Sequence, residues 1–302
     1  MNGILIIDKP AGITSHDVVA RVRRILKTKR VGHTGTLDPF ATGVMVILVG
    51  QATRLAQFLD KDAKEYEALV RFGFETDTGD RTGSPKSKVQ SPKLESLDPI
   101  RAVLPMFRGE IEQTPPMYSA KKIDGKKLYE LARKGETVER KAAKITIYEL
   151  ELLSVSPALA DDLTAGIDTV TLRVRCSAGT YIRTLAEDIG RKVGVGAHLE
   201  ELRRTHAGKF SIDQSVTLEQ LGKMDDPASA LIAMELAVSH LPNIELTDER
   251  IAKTKNGLST RIFVSDLNEG DAVQMIDGSG ELIAIGFFNE AENVIQPKVV
   301  LV

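Results

Sequence analysis

The sequence predicts an α+β protein built on a central, largely antiparallel mixed sheet flanked by helices, followed by a small β-rich domain. Short apolar strands and amphipathic helices occur along the chain without the regular alternation that a doubly wound fold requires. The 302 residues, 42% of them hydrophobic, suffice for one large domain and one small one. From residue 241 onward, short strands are separated by glycines, which is typical of a barrel-like module.

The N-terminal quarter predicts strands and helices in turn. Thr14 or Ser15 can cap a helix that ends at Leu26, because valines, isoleucine and leucine recur there at helical spacing. The remaining predicted elements are a strand over 3–10, a turn-rich loop over 30–43, a buried strand over 44–50, a short helix over 51–60 and a strand over 64–74.

The rest of the first 240 residues predicts a mixture of both types. The polar stretch 75–93 reads as a long loop, and loops of that length are usually functional or mobile. Predicted helices cover 95–106, 126–133, 180–193, 198–203 and 226–239, and predicted strands cover 145–155 and 169–176. A proline at 242 and a shift to acidic composition predict a boundary near residue 241, so we expect domains 1–240 and 241–302.

The charge distribution is more informative than the net charge of −2. Residues 1–240 contain 35 Lys and Arg against 32 Asp and Glu, whereas residues 241–302 contain 5 against 10. Two basic clusters occur in the first part, at 21–30 and 121–144. Local clusters can bind phosphates on a neutral protein because salt screens distant charges. Each cluster could equally be a solvated helix face.

Several classes of protein are disfavoured by composition. The single cysteine, Cys176, excludes an internal disulfide, and its strand-like setting predicts a buried structural thiol. Five scattered histidines make a dedicated metal site unexpected. No apolar run approaches the roughly 18 residues of a membrane span, and the N-terminus lacks a basic region before its apolar run. We therefore expect a cytoplasmic protein that is not associated with a membrane.

One glycine-rich loop presents an acidic residue in an unusual setting. Asp38 precedes Pro39, and a residue before proline avoids the helical region, so the carboxylate belongs to a stiff loop between two core elements. Asp38 could serve chemistry, or it could form a turn or cap, which is the commoner role of aspartate. His33, five residues earlier, could bind a phosphate or a base or could brace the loop.

The stretch GHTGTLDPFATGVMVILVGQATR, residues 32–54, resembles the signature of the TruB family of tRNA pseudouridine synthases. The match is long and its features occur in a specific order. In that family the aspartate of the Leu-Asp-Pro step is the catalytic nucleophile, which maps onto Asp38. The histidine of the Gly-His-Thr-Gly step contacts the substrate near the flipped base, which maps onto His33.

Further segments resemble the family's other motifs in the same order: NGILIIDKPAGITSHDVV, KEYEALVRFGFETDTGD, RCSAGTYIRTLAEDIG and LRRTHAGKF. Together they cover most of residues 1–210. The resemblance implies that Lys9 and Pro10 support the site. It places in the substrate pocket the aromatic, basic and apolar residues Tyr66, Tyr181, Arg183 and Leu202.

Each of these pocket residues also has an ordinary structural role open to it. Tyr66 could stack on an extruded uracil or pack in the core. Tyr181 could accept the proton from C5 of uracil or donate to a backbone carbonyl. Arg183 could keep Asp38 ionised or extend its charge to solvent from a helix end. Leu202 could pack on the flipped base or in the core of a predicted helix.

The resemblance implies a pseudouridine synthase fold and isomerisation of uridine at position 55 in the T-loop of tRNA. That reaction breaks the glycosidic bond, rotates uracil and rejoins it through C5, so no cofactor is expected and one carboxylate suffices. An insertion at about 107–145 would clamp the T-arm, and residues 241–302 would form a PUA-like domain. Because the Lys-rich tail of guide-RNA-dependent relatives is missing, we expect a protein that needs neither guide RNA nor a partner protein. We also expect a monomer.

Two other functions remain open from the sequence. A non-catalytic RNA-binding or RNA-folding protein could use the same surface, although it would not need a buried carboxylate. A nucleoside hydrolase would release free uracil. Glycoside hydrolysis usually uses two carboxylates that flank the bond, and no second carboxylate or metal cluster stands near the motifs in the sequence.

Overall fold

The computed structural model describes residues 1–86, 94–119, 121–123, 125–132, 134–156, 168–261 and 266–301. We number its strands β1–β17 and its α-helices α1–α8 along the chain. Residues 157–167, which follow the predicted strand over 145–155, lie outside the described residues. So do residues 87–93 of the predicted loop over 75–93, and Arg133 at the end of one predicted helix.

A large mixed sheet forms the centre of the molecule. Its strands are β1 (Gly3–Lys9), β2 (Val31–Thr34), β3 (Thr42–Val49), β4 (Lys64–Phe72), β5 (Gly109–Gln113), β8 (Ala143–Ser156), β9 (Thr169–Cys176), β10 (Ala197–Ala207), β11 (Phe210–Ser211) and β12 (Val216–Thr217). Their order is β12-β1-β3-β10-β4-β9-β8-β5, with β2 paired to β3 and β11 to β10. Only the β1–β12 and β3–β10 pairs among these are parallel, which confirms the predicted, largely antiparallel mixed sheet.

Helices cover the sheet. They are α1 (Ser15–Ile25), α2 (Ala56–Leu59), α3 (Asp98–Val103), α4 (Leu128–Ala132), α5 (Ile182–Val193), α6 (Leu218–Lys223), α7 (Met234–Ala237) and α8 (Asp248–Lys255). Thr14 caps α1, because its side chain accepts from the Asp17 amide while the Asp17 carboxylate accepts from Thr14. Helix α5 packs its apolar face on β10 and β4, and this packing fixes the helix end that carries Arg183.

Two smaller sheets complete the fold. The hairpin of β6 (Lys122–Ile123) and β7 (Lys126–Lys127) precedes α4. Near the C-terminus, the strands are β13 (Asn243–Glu245), β14 (Thr260–Arg261), β15 (Ala272–Ile276), β16 (Leu282–Asn289) and β17 (Val294–Val300), in the order β13-β15-β16-β17-β14. Leu282 and Ile285 of this sheet share an apolar cluster with Ile4 and Val44 of the large sheet. The predicted C-terminal β-rich region is therefore present.

The predicted helix over 198–203 is wrong, since these residues lie in the middle of strand β10. His-Leu-Glu-Glu-Leu-Arg favours a helix locally. Strand β10 pairs with β4 along its length on one side, and with β3 at Arg203 and Arg204 on the other. Leu199 and Leu202, which lie on either side of a register shift in β10, both enter the core. Tertiary pairing thus overrides local propensity.

Two other predictions need correction. The predicted loop over 30–43 is shorter, because Val31–Thr34 pairs with β3 and only residues 35–41 connect the two strands. The predicted helix over 226–239 is reduced to a 3-10 turn, Pro227–Ala230, and the short α7. Ile232 between them exchanges two backbone hydrogen bonds with Ile4, which interrupts the helix. Within the described ranges, no helix has both the length and the apolar character needed to cross a bilayer.

Candidate active site

The loop between β2 and β3 presents Asp38 and is held rigidly by the start of the chain. The Ser15 hydroxyl accepts from the Leu37 amide at 3.0 Å and lies 3.1 Å from the Leu37 carbonyl oxygen, to which it donates. The Gly12 amide donates to the Pro39 carbonyl at 2.8 Å. The Asp38 carbonyl accepts from Ala41 and closes the turn. Both neighbours of Asp38 are thus fixed from outside the loop.

Lys9 is fully buried beneath this loop. Its ammonium donates to the carbonyls of Pro10, Pro39 and Ala41 at 3.0, 3.2 and 2.7 Å, so all three protons are used. Burial lowers the pKa of Lys9 to about 8, and the negative charge of Asp38 opposes this decrease. The supporting position predicted for Lys9 and Pro10 agrees with this geometry, since Pro10 supplies one of the three carbonyls.

Arg183, at the start of α5, forms a two-point contact with Asp38. Arg183 Nε lies 2.9 Å from Asp38 Oδ2, and Nη2 lies 3.2 Å from Oδ1. The Arg183 side chain is only 5% exposed, while that of Asp38 is 34% exposed. Burial raises the pKa of Asp38 and the adjacent guanidinium opposes the increase. The carboxylate is therefore both oriented and accessible.

The other donors of Arg183 are occupied by backbone carbonyls from the segments after β4 and after β5. Nη1 donates to the Thr78 carbonyl at 2.8 Å, and Nη2 donates to the Tyr118 carbonyl at 2.6 Å. The buried Asp80 also approaches Arg183, with Asp80 Oδ2 3.7 Å from Arg183 Nη1. The other oxygen of Asp80 accepts from Thr82 and Thr78. Sequence reasoning missed Asp80. Its signal was a carboxylate within a run of threonines that can solvate it.

A cavity of about 410 Å³ opens in front of the Asp38–Arg183 pair. Five of the predicted site residues line it together: Asp38, Tyr66, Tyr181, Arg183 and Leu202. Its volume is in the range of sites for small organic ligands. The walls combine one paired carboxylate with aromatic, apolar and cationic groups, an arrangement suited to a nucleotide base.

The apolar part of the cavity comes from neighbouring strands. Tyr66 on β4 and Leu202 on β10 are 8% and 7% exposed, and β10 pairs Leu202 with Ala68 and Arg204 with Tyr66. Burial raises the pKa of the Tyr66 phenol. The expectation that Leu202 lines the pocket thus agrees with the structure, although it lies on a strand and not on a helix.

Tyr181 precedes the first residue of α5. Its backbone is fixed by Gln113, which accepts from the Tyr181 amide at 2.7 Å and donates to the Tyr181 carbonyl at 3.0 Å. This two-way contact ties the start of α5 to strand β5, at the edge of the sheet. Tyr181 and Arg183 therefore enter the cavity from one anchored helix end.

His33 does not line this cavity, although it was predicted to bind the substrate. It lies on β2, half-buried, with its ring against that of His16 at a centroid distance of 5.8 Å and an interplanar angle of 80°. Its Nδ1 is buried without a hydrogen-bond partner within the described chain. Burial and the neighbouring His16 lower the pKa of His33, so its ring is neutral at neutral pH.

Two basic residues that the sequence reasoning overlooked also line the cavity. They are Lys64, at the start of β4, and Arg204, two residues beyond Leu202. Each lies two residues from a predicted site residue on its strand. Period-two spacing on the predicted strand β4 already indicated Lys64, and it would have indicated Arg204 had β10 been predicted as a strand. Elsewhere, Cys176 is a buried free thiol, as predicted, and burial raises its pKa to about 11.

The comparisons with known proteins agree with this geometry. Residues 23–182 match the family described as TruB family pseudouridylate synthase, N-terminal domain, and residues 183–236 match the tRNA pseudouridylate synthase B C-terminal domain. This chain belongs to the TruB family of pseudouridylate synthases. Among the described residues of this TruB-family chain, no group of three or more His, Cys, Asp and Glu is placed to hold a metal ion.

Curated relatives cover the TruB-family chain from end to end. It is 43% identical over 308 residues to tRNA pseudouridine synthase B of Solibacter usitatus, with all of both chains covered. It is 40% identical over 310 residues to tRNA pseudouridine synthase B of Bacillus subtilis, covering all of this chain and 98% of the other.

Solved structures of similar proteins share the fold. One is a structure of an H/ACA RNP bound to a substrate RNA containing 2′-deoxyuridine, with 28% identity, a TM-score of 0.74, and coverage of 99% of this chain and 85% of the other. Another is a Cbf5-Nop10-Gar1 complex, with 30% identity, the same TM-score and the same coverage. These matches confirm the predicted pseudouridine synthase fold of the TruB-family chain.

Proposed function

We propose that this protein isomerises uridine to pseudouridine in tRNA, at position 55 of the T-loop, with Asp38 as the catalytic carboxylate. The observation that carries the proposal is the Asp38–Arg183 pair, whose carboxylate is oriented at two points and faces a cavity lined by Tyr66, Tyr181 and Leu202. The tRNA substrate is supported by the names of the curated relatives. The position in the T-loop is supported by the motif resemblance.

The chemistry requires a target base outside its stack, a nucleophile near the sugar, and a pocket that retains the detached base. Tyr66 and Leu202 offer flat apolar contact to an extruded uracil. Asp38 then assists cleavage of the bond between C1′ and N1, by attack on C1′ or by removal of a sugar proton. After rotation of the base, C5 bonds to C1′ and loses its hydrogen as a proton. Tyr181 is the proposed acceptor.

Arg183 makes this role of Asp38 possible at neutral pH. A carboxylate buried without a cation would be protonated and could not act as a nucleophile. The fork of the guanidinium matches both carboxylate oxygens, and its remaining hydrogens are fixed by carbonyls of Thr78 and Tyr118. Asp38 is thus held at one orientation without being neutralised.

A nucleoside hydrolase remains the rival reaction at this site. Asp80 supplies a second carboxylate, but it is 4% exposed, does not line the cavity, and is turned toward Thr78, Thr82 and Arg183. Such a carboxylate cannot reach a water on the far face of a sugar, as inverting hydrolysis requires. Because Asp80 is buried away from the cavity, it cannot activate a water for hydrolysis, and this favours isomerisation over release of the base.

The surface offers basic groups for the RNA backbone. All six cationic residues of the 21–30 cluster are exposed, and in the 107–145 insertion exposed lysines include Lys121, Lys126, Lys134 and Lys141. We propose that these clusters bind the T-arm and offset the cost of base flipping. We propose further that residues 241–302 act as a PUA-like module attached to the catalytic domain 1–240, and that the protein works as a monomer in the cytoplasm, without a guide RNA or partner protein.

We propose that His33 contacts the RNA outside the cavity and not the base inside it. His33 is half-buried, so part of the residue is open to such a contact. Because His33 lies on β2, outside the cavity lining, such a contact would be made before the flipped base enters the pocket.

The test uses an unmodified T-arm hairpin that carries 5-tritiated uridine at position 55. Release of tritium requires a new bond at C5, so it reports isomerisation and not hydrolysis. Wild type should release tritium and Asp38→Asn should not, although both should bind the hairpin. The matched control is Asp98→Asn on α3, whose side chain is 86% exposed, and it should behave as wild type.

Each contrary result points elsewhere. Binding of the hairpin without tritium release from any protein would favour a non-catalytic RNA-binding or RNA-folding role. Appearance of free uracil would favour the hydrolase. Equal release by Asp38→Asn and wild type would remove Asp38 from the reaction.

A further inference from the structure

Two cationic side chains in the cavity lack an acidic partner. Arg204 is 1% exposed and Lys64 is buried. Across the part of the chain that the structure describes, neither has a carboxylate oxygen within 4.0 Å, whereas Arg183 in the same cavity has Asp38. A buried charge without a partner is costly unless a ligand compensates it. Asp60 also lines the cavity, and its charge partly offsets that of Lys64. The charged lining residues are then three cations, Lys64, Arg183 and Arg204, against the two carboxylates of Asp38 and Asp60, so positive charge remains in excess.

The hydrogen bonds of Arg204 to backbone carbonyls use two of its three guanidinium nitrogens. Nε donates to the Val44 carbonyl at 2.6 Å and Nη2 donates to the Gly35 carbonyl at 3.0 Å. Nη1 donates to no backbone carbonyl of the described residues, and the Arg204 side chain also hydrogen-bonds the Tyr66 phenol, where it opposes the rise of the phenol pKa. Lys9 is different, because carbonyls take all three of its protons and its structural role is complete.

Lys64 lies beside this group. Its ammonium donates to the carbonyls of Asp60 and Asp62 at 2.7 and 2.6 Å, which leaves one proton. Burial lowers the pKa of Lys64, and the charge of Arg204 lowers it further, so the two cations are close enough to repel one another. Two neighbouring buried cations form a site for an anion.

The isomerisation proposed above creates such an anion. When the bond between C1′ and N1 breaks, its electron pair stays on uracil and spreads over N1, O2 and O4. This holds whether Asp38 forms a bond to C1′ or removes a sugar proton. The negative charge disappears when C5 uses an electron pair to bond to C1′ and then loses its hydrogen as a proton.

We infer that Arg204, assisted by Lys64, is a further catalytic residue that stabilises the uracil anion between cleavage and rejoining. Nη1 of Arg204 and the remaining proton of Lys64 face the detached base and donate to its oxygens. Fixed donors aimed at developing charge are effective because they need no reorganisation during the reaction. This inference rests on the proposed isomerase function.

Position in the cavity favours the base over a phosphate of the RNA backbone. Arg204 pairs in register with Tyr66, whose ring is the proposed stacking face, and its charge opposes the burial-induced rise in the Tyr66 phenol pKa. At 1% exposed, Arg204 lies deeper than Asp38, whose side chain is 34% exposed. Asp38 acts at the sugar and lies nearer the surface than Arg204. The base extends from the sugar further into the cavity, so the base and not a backbone phosphate reaches Arg204.

The test compares two leaving groups in single-turnover reactions. The substrates are T-arm hairpins with uridine or 5-fluorouridine at the target position, and conversion of the target nucleoside is followed by digestion and chromatography. Fluorine withdraws electrons and makes the detached anion intrinsically more stable, so it needs less help from the protein. Arg204→Gln should slow conversion of uridine by about 100-fold and conversion of 5-fluorouridine by at least several-fold less. Binding of the uridine hairpin should change less than about threefold.

Companion variants separate charge from folding. Arg204→Lys keeps the charge and should lose less rate than Arg204→Gln. Lys64→Gln should also slow conversion of uridine more than conversion of 5-fluorouridine, with a smaller loss of rate than Arg204→Gln. This variant provides the test if Arg204→Gln does not fold. The control is Arg175→Gln on β9, because Arg175 is 49% exposed and pairs with Glu149 away from the cavity. It should match wild type with both substrates.

The contrary outcomes are distinct. Equal losses with uridine and 5-fluorouridine would assign Arg204 a structural role and overturn the inference. Weaker binding with an unchanged rate would assign it to a phosphate and also overturn it. Failure of wild type to convert either hairpin would overturn the isomerase function, and the inference with it.

Discussion

The guanidinium of Arg183 meets the carboxylate of Asp38 in parallel, Nε to Oδ2 at 2.9 Å and Nη2 to Oδ1 at 3.2 Å. The two residues are 145 positions apart in the chain. The contact requires a planar fork of donors at one fixed place, and α5 supplies it from its first turn. A cation of another shape in that place would not orient the carboxylate.

Arg183→Lys should therefore lower the single-turnover rate by about 100-fold or more while tRNA affinity stays near that of wild type. Lysine keeps the charge but cannot bind both carboxylate oxygens together with two backbone carbonyls. Rapid-quench kinetics at saturating enzyme measure the rate, and filter binding measures the affinity. A rate within a few-fold of wild type would show that charge alone is sufficient.

The pH dependence should follow the ionisation of Asp38. Burial raises the pKa of this carboxyl, and Arg183 limits the increase. Activity should be lost as pH falls through that pKa, at a pH above the range of an ordinary aspartate, because only the ionised form acts. In Arg183→Gln the opposing cation is gone, so the acid limb should move to higher pH. Rates measured from pH 4.5 to 8 test this, and coincident acid limbs would contradict it.

Gly43→Ala should destabilise the protein severely. Gly43 has φ of +101°, and a methyl group there would overlap the backbone carbonyl of Arg204 on the neighbouring parallel strand. Gly109→Ala is the matched control, since Gly109 has φ of +87° but no heavy atom within 4 Å of the added methyl. We expect the control to lose about 1–2 kcal/mol and Gly43→Ala at least about 3 kcal/mol. Urea denaturation measures both, and equal losses would rule out the steric explanation.

Reversing the charge at Lys121 and Lys122 should raise the Michaelis constant for tRNA. Each lost phosphate contact should also reduce the magnitude of the salt slope of log affinity by about 0.7–0.9. The rate at saturation should stay unchanged, because the proposed role of these residues is to bind the RNA backbone and not to take part in the chemistry. Lys253→Glu serves as the control, since Lys253 already pairs with Glu249 in the acidic C-terminal region. An unchanged salt slope in the double variant would remove the 121–144 cluster from RNA binding.

Much of the fold and most of the cavity could be predicted because they are encoded locally. Asp38 stands in a loop whose glycines and proline fix its shape, and the period-two apolar pattern identified β4 with Tyr66. Strand β10 could not be predicted in this way. Its helix-favouring residues adopt a strand only because β3 and β4, distant in sequence, provide hydrogen-bonding edges on both sides.

That single error concealed Arg204, whose inward direction depends on the alternation of a strand. Asp80 escaped for another reason, because its importance comes from Arg183, which lies 103 residues further along the chain in sequence numbering. Sequence patterns identify the residues that a loop or strand presents. They do not identify side chains, such as that of Asp80, whose role depends on contact with a residue distant in sequence.

The placement of β10 between β3 and β4 has a consequence for synthesis of the protein. Until residues 197–207 have left the ribosome, β4 keeps an open hydrogen-bonding edge beside apolar side chains, and β3 keeps one at Thr42 and Gly43. Such edges invite pairing with other chains. A nascent chain that ended before β10 would carry Asp38 and Tyr66 without the strand that joins them, and would be prone to aggregate. Completion of the large sheet is therefore expected only after β10 has left the ribosome, and truncations that remove β10 should accumulate in insoluble material.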